Sequence, residues 1–173
     1  MKLGKETFLL DTNTLIAPSR NYYSFKIAPR FWTFLQDEIV SGNLIVMDMV
    51  ANEIYKGKDI LANWLTAIDV SPLDRRSPDI LTCYGKILTH IQESTLYTER
   101  ALASWSESNH ADPWIVATAT ARKYTVITFE QSNPSLGINP TSKPKIPDVC
   151  REFGVSCVSL YSFLETRNFS FPA

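Results

Sequence analysis

Short apolar runs that each stop at a polar or acidic residue alternate with segments of helical periodicity along this chain. Three of them, residues 7–10, 44–47 and 126–129, are followed at once by Asp11, Asp48 and Glu130. Apolar runs of this length are typical of strands buried on both faces of a parallel sheet. Residues 156–159 have the same character. Strands that alternate with helices predict an α/β fold with a mostly parallel sheet and helices on both faces.

The predicted helices rest on apolar residues spaced three and four apart, with Gly and Pro at the breaks. They lie at 30–40, 48–54, 61–68, 80–91, 101–105, 114–123, 148–153 and 160–165. Asp48 and Asp112 are predicted to be the N-caps of their helices. Residues 131–147, rich in Pro, Ser, Asn and Lys, are predicted to form an irregular loop, and the two lysines there are expected to be solvated.

Length and composition favour one domain over residues 1–173, because 45% hydrophobic residues can bury one substantial core. No apolar run approaches the roughly 20 residues of a membrane-spanning helix. Residues 1–7 lack the apolar core of a signal peptide, so a cytoplasmic protein is expected. The net charge of −1 gives no global reason to bind nucleic acid. The three cysteines form no C-x-x-C pair and are expected to be buried, inert thiols.

Four acids are placed where an α/β sheet would bring them to one rim: Asp11 and Glu130 follow strands, and Glu53 and Asp112 lie on helices that follow loops. Carboxylates held together repel each other unless a cation neutralises them. Hard divalent cations are bound by such oxygen ligands, and they activate water for attack on phosphate. The pattern therefore favours a metal-dependent hydrolase of phosphodiester bonds.

Three of the four acids also have an ordinary structural explanation. An aspartate before proline caps a helix for about 1 kcal/mol whether or not it binds metal, which applies to Asp112. Glu53 would be solvated on most short helices, and Glu130 would suit a turn. Asp11 is the exception, since a small acid directly after an apolar strand more often marks a site.

Four segments in order along the chain resemble the PIN-domain nucleases, which include the VapC-like toxin ribonucleases. They are Phe-Leu-Leu-Asp-Thr-Asn-Thr-Leu-Ile at 8–16, Val-Ala-Asn-Glu-Ile at 50–54, Ala-Asp-Pro-Trp-Ile-Val-Ala-Thr-Ala at 111–119, and Val-Ile-Thr-Phe-Glu at 126–130. The segment Lys-Ile-Pro-Asp-Val-Cys at 145–150 further resembles an uncharacterised PIN-like subfamily found beside toxin–antitoxin genes.

The resemblance implies a three-layer α/β/α sandwich, endoribonuclease activity, a Mg²⁺ or Mn²⁺ site and frequent homodimers. For a bacterial member it also implies inhibition by an antitoxin protein. Asp11 and Asp112 would be the principal metal ligands, and Glu53 a ligand or an acceptor that orients the attacking water.

The outer positions of the implied site are less fixed. Glu130 stands where the family more often has Asp, so Glu130 and Asp148 compete for the fourth acid. Asn13 and Thr128 would position the acids or a phosphate by hydrogen bonding, or would simply be turn and strand-end residues. His110 is expected to be polar surface.

Two other functions fit parts of the pattern. A haloacid-dehalogenase-type phosphatase also opens with a strand running into an aspartate, but such enzymes usually carry a second aspartate where this chain has Asn13. A PIN-like scaffold that has lost activity and serves as a binding module is the non-enzymatic alternative. The sequence leaves open which RNA is cut, whether DNA is also cut, whether an antitoxin exists and which oligomer forms.

Overall fold

The computed structural model describes residues 6–171. The first five residues of the segment examined above for a targeting signal lie outside this range. The strands are β1 (Phe8–Leu10), β2 (Leu44–Ile45), β3 (Thr125–Ile127) and β4 (Cys157–Val158). The helices are α1 (Asn13–Ala17), α2 (Pro29–Val40), α3 (Asp48–Lys56), α4 (Ile60–Ala67), α5 (Pro78–Glu93), α6 (Glu99–Trp105), α7 (Asp112–Arg122), α8 (Ile146–Glu152) and α9 (Leu160–Thr166). A π-helical turn, Pro18–Tyr22, follows α1.

The four strands form one parallel sheet in the order β2-β1-β3-β4, flanked by helices in an α/β/α arrangement. This confirms the predicted fold class. Every residue of the two central strands β1 and β3 is buried, as expected for strands covered on both faces. Parallel pairing places the carboxyl ends of all four strands at the same edge of the sheet, so residues that follow the strands are brought together there.

Strand β2 covers only the first two residues of the apolar run 44–47, because the chain changes its hydrogen-bonding partner after Ile45. The backbone C=O of Val46 accepts a hydrogen bond of 2.9 Å from Leu73 N–H, and Asp48 N–H donates to Leu73 C=O at 3.0 Å. Residues 46–48 thus leave β1 and pair with the chain segment between α4 and α5. Among the described residues, no helix is long and apolar enough to cross a membrane.

The segment after β1 is largely helical: α1 begins at Asn13 and the π-helical turn continues from it. The turn is closed by a 2.7 Å hydrogen bond from Tyr23 N–H to Pro18 C=O. It ends at Tyr22, whose side chain is exposed.

The N-cap predictions for Asp48 and Asp112 are wrong by one position. Helix α3 begins at Asp48 itself and α7 at Asp112 itself, so the cap residues are Met47 and Ala111. Ala111 already has helical backbone angles, and its C=O accepts from Ile115 N–H at 3.0 Å. An acid at the first helical position still benefits from the helix dipole, but its side chain is free for other contacts.

Candidate active site

Asp11 lies at the carboxyl end of β1 with only 5% of its surface exposed. Its backbone N–H donates to Ile127 C=O at 3.0 Å, which continues the β1–β3 ladder by one residue. The same ladder brings Thr128 alongside, and the Thr128 hydroxyl donates to Asp11 Oδ2 at 2.8 Å. The expectation that Thr128 helps to position an acid therefore matches a hydrogen bond in the structure.

The charge of Asp11 is poorly compensated by its surroundings. Burial, followed by the nearby carboxylates of Asp112 and Glu130, raises the pKa of Asp11 to about 6, against the lowering effect of the Thr128 hydrogen bond. A buried carboxylate facing other carboxylates ionises at neutral pH at a cost in free energy, and a bound cation would offset that cost.

Helix α3 brings Glu53 to the same site. There Thr12, the neighbour of Asp11 in sequence, holds the Glu53 carboxylate by a hydrogen bond. The hydroxyl of Thr12, which is only 4% exposed, donates to Glu53 Oε2 at 2.9 Å. Glu53 itself is exposed. Thr12 holds one of its two carboxylate oxygens, and the residue lines the cleft described below.

Asp112 makes no helix-capping hydrogen bond from its side chain and instead contacts His110. The distance from Asp112 Oδ2 to His110 Nε2 is 3.1 Å, and His110 Nδ1 lies 2.9 Å from Ser104 C=O. The Ser104 carbonyl and the Asp112 carboxylate both accept hydrogen bonds, so these two contacts favour the protonated imidazole. The hydrogen bond to Asp112 raises the pKa of His110, in agreement with this geometry. His110 is therefore more than the polar surface residue that the sequence predicted. No signal in the sequence indicated its contact with Asp112.

The three acids Asp11, Glu53 and Asp112 line one cleft of about 970 Å³, named here the acidic cleft. Its remaining walls carry a fourth acid together with neutral polar, basic and apolar side chains: Glu107, Thr12, Asn13, Met49, Asn52, Tyr55, Lys56, Lys58, Ser108, Asn109, His110 and Ala111. Within residues 6–171, no three His, Cys, Asp or Glu side chains stand close enough together to hold a metal ion among them. The acids therefore surround the cleft without converging on a single point.

The residues of the acidic cleft fit a hard divalent cation. Their donors are carboxylate oxygens, and the raised pKa of Asp11 marks an uncompensated negative charge at that position. Mg²⁺ is usually bound through one or two carboxylates, with waters and substrate phosphate as the other ligands. A cleft with separated acids and ample space suits this mode better than a closed cage of protein ligands.

Glu130 follows β3 and does not line the acidic cleft. Its Oε1 accepts from Lys145 Nζ at 2.7 Å, and its Oε2 accepts from the backbone N–H of Ile146 at 2.8 Å. Its own backbone N–H donates to Thr128 Oγ1 at 3.0 Å. Glu130 therefore fastens the start of α8 and supports the threonine that holds Asp11.

Asp148 is 1% exposed in the first turn of α8 and also lies outside the acidic cleft. Its Oδ2 accepts from the backbone N–H of Asn133 at 2.9 Å, and its Oδ1 pairs with Arg151 at 3.1 Å. These contacts tie the loop before α8 to the helix. Its geometry is that of a structural carboxylate.

A family model described as "Domain of unknown function (DUF4411)" matches residues 8–171, nearly the whole chain. No curated protein matches. Among solved structures, the chain is similar to a chain of "VapBC2 from Rickettsia felis bound to a DNA fragment from their promoter", with a TM-score of 0.54 and 15% identity. The match covers 88% of this chain and 98% of that one.

At 15% identity this similarity concerns the fold alone. It supports the PIN-like fold that the sequence motifs suggested, whereas the proposed toxin–antitoxin subfamily stays a prediction. The family match covers far more than half of the residues, so the assignment does not depend on the structural likeness. The chain has a PIN-like fold and belongs to the family of the Domain of unknown function (DUF4411).

Proposed function

We propose that this protein is a metal-dependent endoribonuclease that hydrolyses RNA phosphodiester bonds at the acidic cleft. The observation that carries the proposal is Asp11, a buried carboxylate whose pKa is raised to about 6 in a cleft that it shares with Glu53 and Asp112. A protein gains nothing in stability from such a charge, so the arrangement points to a bound cation.

Each acid has a distinct role in the proposed site. Asp11 and Asp112 would hold Mg²⁺ or Mn²⁺, which supplies a positive charge beside the phosphate and favours attack by water. His110 fixes the carboxylate of Asp112 through one oxygen and leaves the other available. Glu53, held through one oxygen by Thr12, presents its second oxygen to a ligand or to the attacking water.

For the outer position, the contacts support Glu130 over Asp148. The charge of Glu130 acts on Asp11, and its backbone supports Thr128. Asp148 is nearly inaccessible and is occupied by Asn133 and Arg151. Glu130 would tune the site through its charge, since both of its oxygens are already hydrogen bonded.

The toxin role of a toxin–antitoxin pair, with a small antitoxin as partner and a homodimer as the assembly, is part of the same proposal. Its support is the sequence resemblance and the fold shared with a chain of the VapBC2 complex. Asn13, exposed at the mouth of the acidic cleft, is proposed to contact a substrate phosphate.

A second candidate function is a PIN-like binding module without activity. It is favoured by two observations: the described acids do not close into a metal cluster, and Glu130 is paired with Lys145. Cleavage assays distinguish the two functions directly.

The test is cleavage of a labelled RNA containing unpaired and hairpin regions, with Mg²⁺, Mn²⁺ or EDTA. Asp112→Asn is expected to lower the rate by at least about a hundredfold, because it removes a charge from the site of phosphate chemistry. Asp79→Asn is a matched control, since Asp79 also lies in the first turn of a helix, after Pro78, but does not line the acidic cleft. Cleavage that persists in EDTA, or a fully active Asp112→Asn protein, would refute the proposal.

A further inference from the structure

A second cavity adjoins the acidic cleft and has a different chemistry. It encloses about 420 Å³ and is lined by Asn13, Ala17, Tyr22, Phe129, Glu130 and Tyr161; we name it the aromatic pocket. Asn13 lines both cavities, so the two adjoin at that residue. A volume of this size falls within the roughly 300–1,000 Å³ of small-molecule sites.

The topology of the fold places the aromatic pocket at the carboxyl edge of the sheet. Asn13 follows β1, Phe129 and Glu130 follow β3, and Tyr161 is the second residue of α9, directly after β4. Ligands of parallel α/β sheets bind at this edge. The acidic cleft lies at the same edge, because Asp11 also follows β1.

The aromatic side chains of this pocket are unusually exposed. Tyr22 is 57% exposed and Tyr161 is 49% exposed, although most other aromatic residues of the described chain are buried or half-buried in the core. The ring of Phe129 lies 6.4 Å from that of Tyr161, between centroids, and supports one side of the pocket. Tyr22 forms no comparable ring contact within residues 6–171, so its face is available to a ligand.

The backbone that presents Tyr22 is also irregular. The π-helical turn Pro18–Tyr22 ends at this residue, and Tyr23 closes the turn by donating to Pro18 C=O. Such turns are rare and occur frequently at functional sites. Tyr22 is therefore presented to the pocket by a type of backbone turn that is often found at functional sites.

We propose that the aromatic pocket binds a nucleobase of a single-stranded RNA whose backbone passes through the acidic cleft. Exposed aromatic rings next to a phosphate-binding site are the means by which proteins hold unpaired bases, because every base presents a flat face for stacking. A base within a duplex is already stacked and cannot enter. The substrate class is therefore an unpaired strand, an inference whose strand path rests on the proposed nuclease activity.

The polar end of the pocket is compatible with this occupant. Glu130 is hydrogen bonded by Lys145 and Ile146, and a carboxylate has further lone pairs that accept from a base edge. Lys145 forms an ion pair with Glu130, so a phosphate nearby also meets a positive charge. Asn13 offers an amide at the junction between base and backbone.

The experiment measures binding of two fluorescent strands of equal charge: a ten-residue oligouridylate, and ten abasic ribose phosphates. The protein carries Asp11→Asn, so the strands stay intact. Adding Tyr22→Ala or Tyr161→Ala is expected to raise the Kd for oligouridylate by about fivefold to a hundredfold and to leave the Kd for the abasic strand within about twofold. Tyr22→Phe and Tyr161→Phe keep the ring and should bind normally, as should Leu81→Ala, an exposed apolar control on α5.

Two outcomes would overturn the base subsite: equal affinity of the Asp11→Asn protein for both strands, or unchanged oligouridylate binding after both alanine substitutions. A measurement that does not depend on the alanine variants is photo-crosslinking of a 5-bromouridine strand, which should label Tyr22 or Tyr161. Labelling elsewhere refutes the proposal. Base-dependent binding by the Asp11→Asn protein, together with no cleavage by the native protein in Mg²⁺ or Mn²⁺, would instead refute the nuclease and keep the subsite.

Discussion

Replacing Asp11 by Asn is predicted to stabilise the folded protein at neutral pH when divalent ions are absent. The reason is the buried charge: burial, followed by the charges of Asp112 and Glu130, raises the pKa of Asp11 from its ordinary 3.8 to about 6. One pKa unit corresponds to about 1.36 kcal/mol, so ionising Asp11 costs about 3 kcal/mol more in the folded protein than in the unfolded chain. Asn removes the charge and keeps an oxygen that accepts from Thr128.

The sign of the pH dependence follows from proton binding. Between about pH 4 and pH 6 the folded protein holds more protons at Asp11 than the unfolded chain does, so this group makes the free energy of unfolding fall as pH rises. The Asp11→Asn protein lacks this loss. The free energy of unfolding of Asp11→Asn should equal that of the native protein at pH 4 and exceed it by up to about 3 kcal/mol at pH 8. For a domain of this size, that difference corresponds to roughly 6–12 °C in melting temperature.

The assay is urea and thermal unfolding followed by circular dichroism, in EDTA, from pH 4 to pH 8. Asp79→Asn is the control, because the hydrogen bond from Ser77, followed by the charge of Arg122, lowers the pKa of Asp79 and its loss should bring no gain. An Asp11→Asn protein that is no more stable than the native protein at pH 8 would refute the claim that Asp11 is an uncompensated buried charge.

Three further predictions concern the other acids and the cation. Mg²⁺ or Mn²⁺ should raise the melting temperature of the native protein but not that of Asp11→Asn, which a thermal-shift titration measures. Glu53→Gln should lower the cleavage rate by about a hundredfold with little change in melting temperature, because Glu53 is exposed and an amide oxygen still accepts from Thr12. Asp148→Asn should lower the melting temperature more than the cleavage rate, and Glu130→Gln the reverse; the opposite pattern in paired assays would make Asp148 the fourth acid.

The sheet was predictable from the sequence because each strand is a local apolar run. Residues 8–10 and 125–127 are buried on both faces, and burial of this kind leaves a continuous hydrophobic signature. The placement of Asp11 followed from the same pattern, since an acid at the end of such a strand lies at the carboxyl edge of the sheet.

The contacts around the acids were less predictable because they join residues far apart in sequence. Lys145 pairs with Glu130 across an irregular loop. Tyr22 and Tyr161 line the same pocket only because the sheet brings their segments together. The sequence predicted Asp112 as the N-cap of α7, whereas Asp112 is the first residue of the helix and contacts His110. A shift of one residue is common at helix boundaries. Local periodicity carries no information on such pairings.

The central claim is that the acidic cleft holds a divalent cation, and a crystal soaked in Mn²⁺ at pH 8 tests it most directly. Anomalous scattering identifies manganese without reference to activity. The account predicts a manganese peak in the acidic cleft, with carboxylate oxygens of Asp11 and Asp112 among its ligands, and no such peak in Asp11→Asn crystals. A cleft without manganese, at a concentration that supports cleavage in solution, would contradict it.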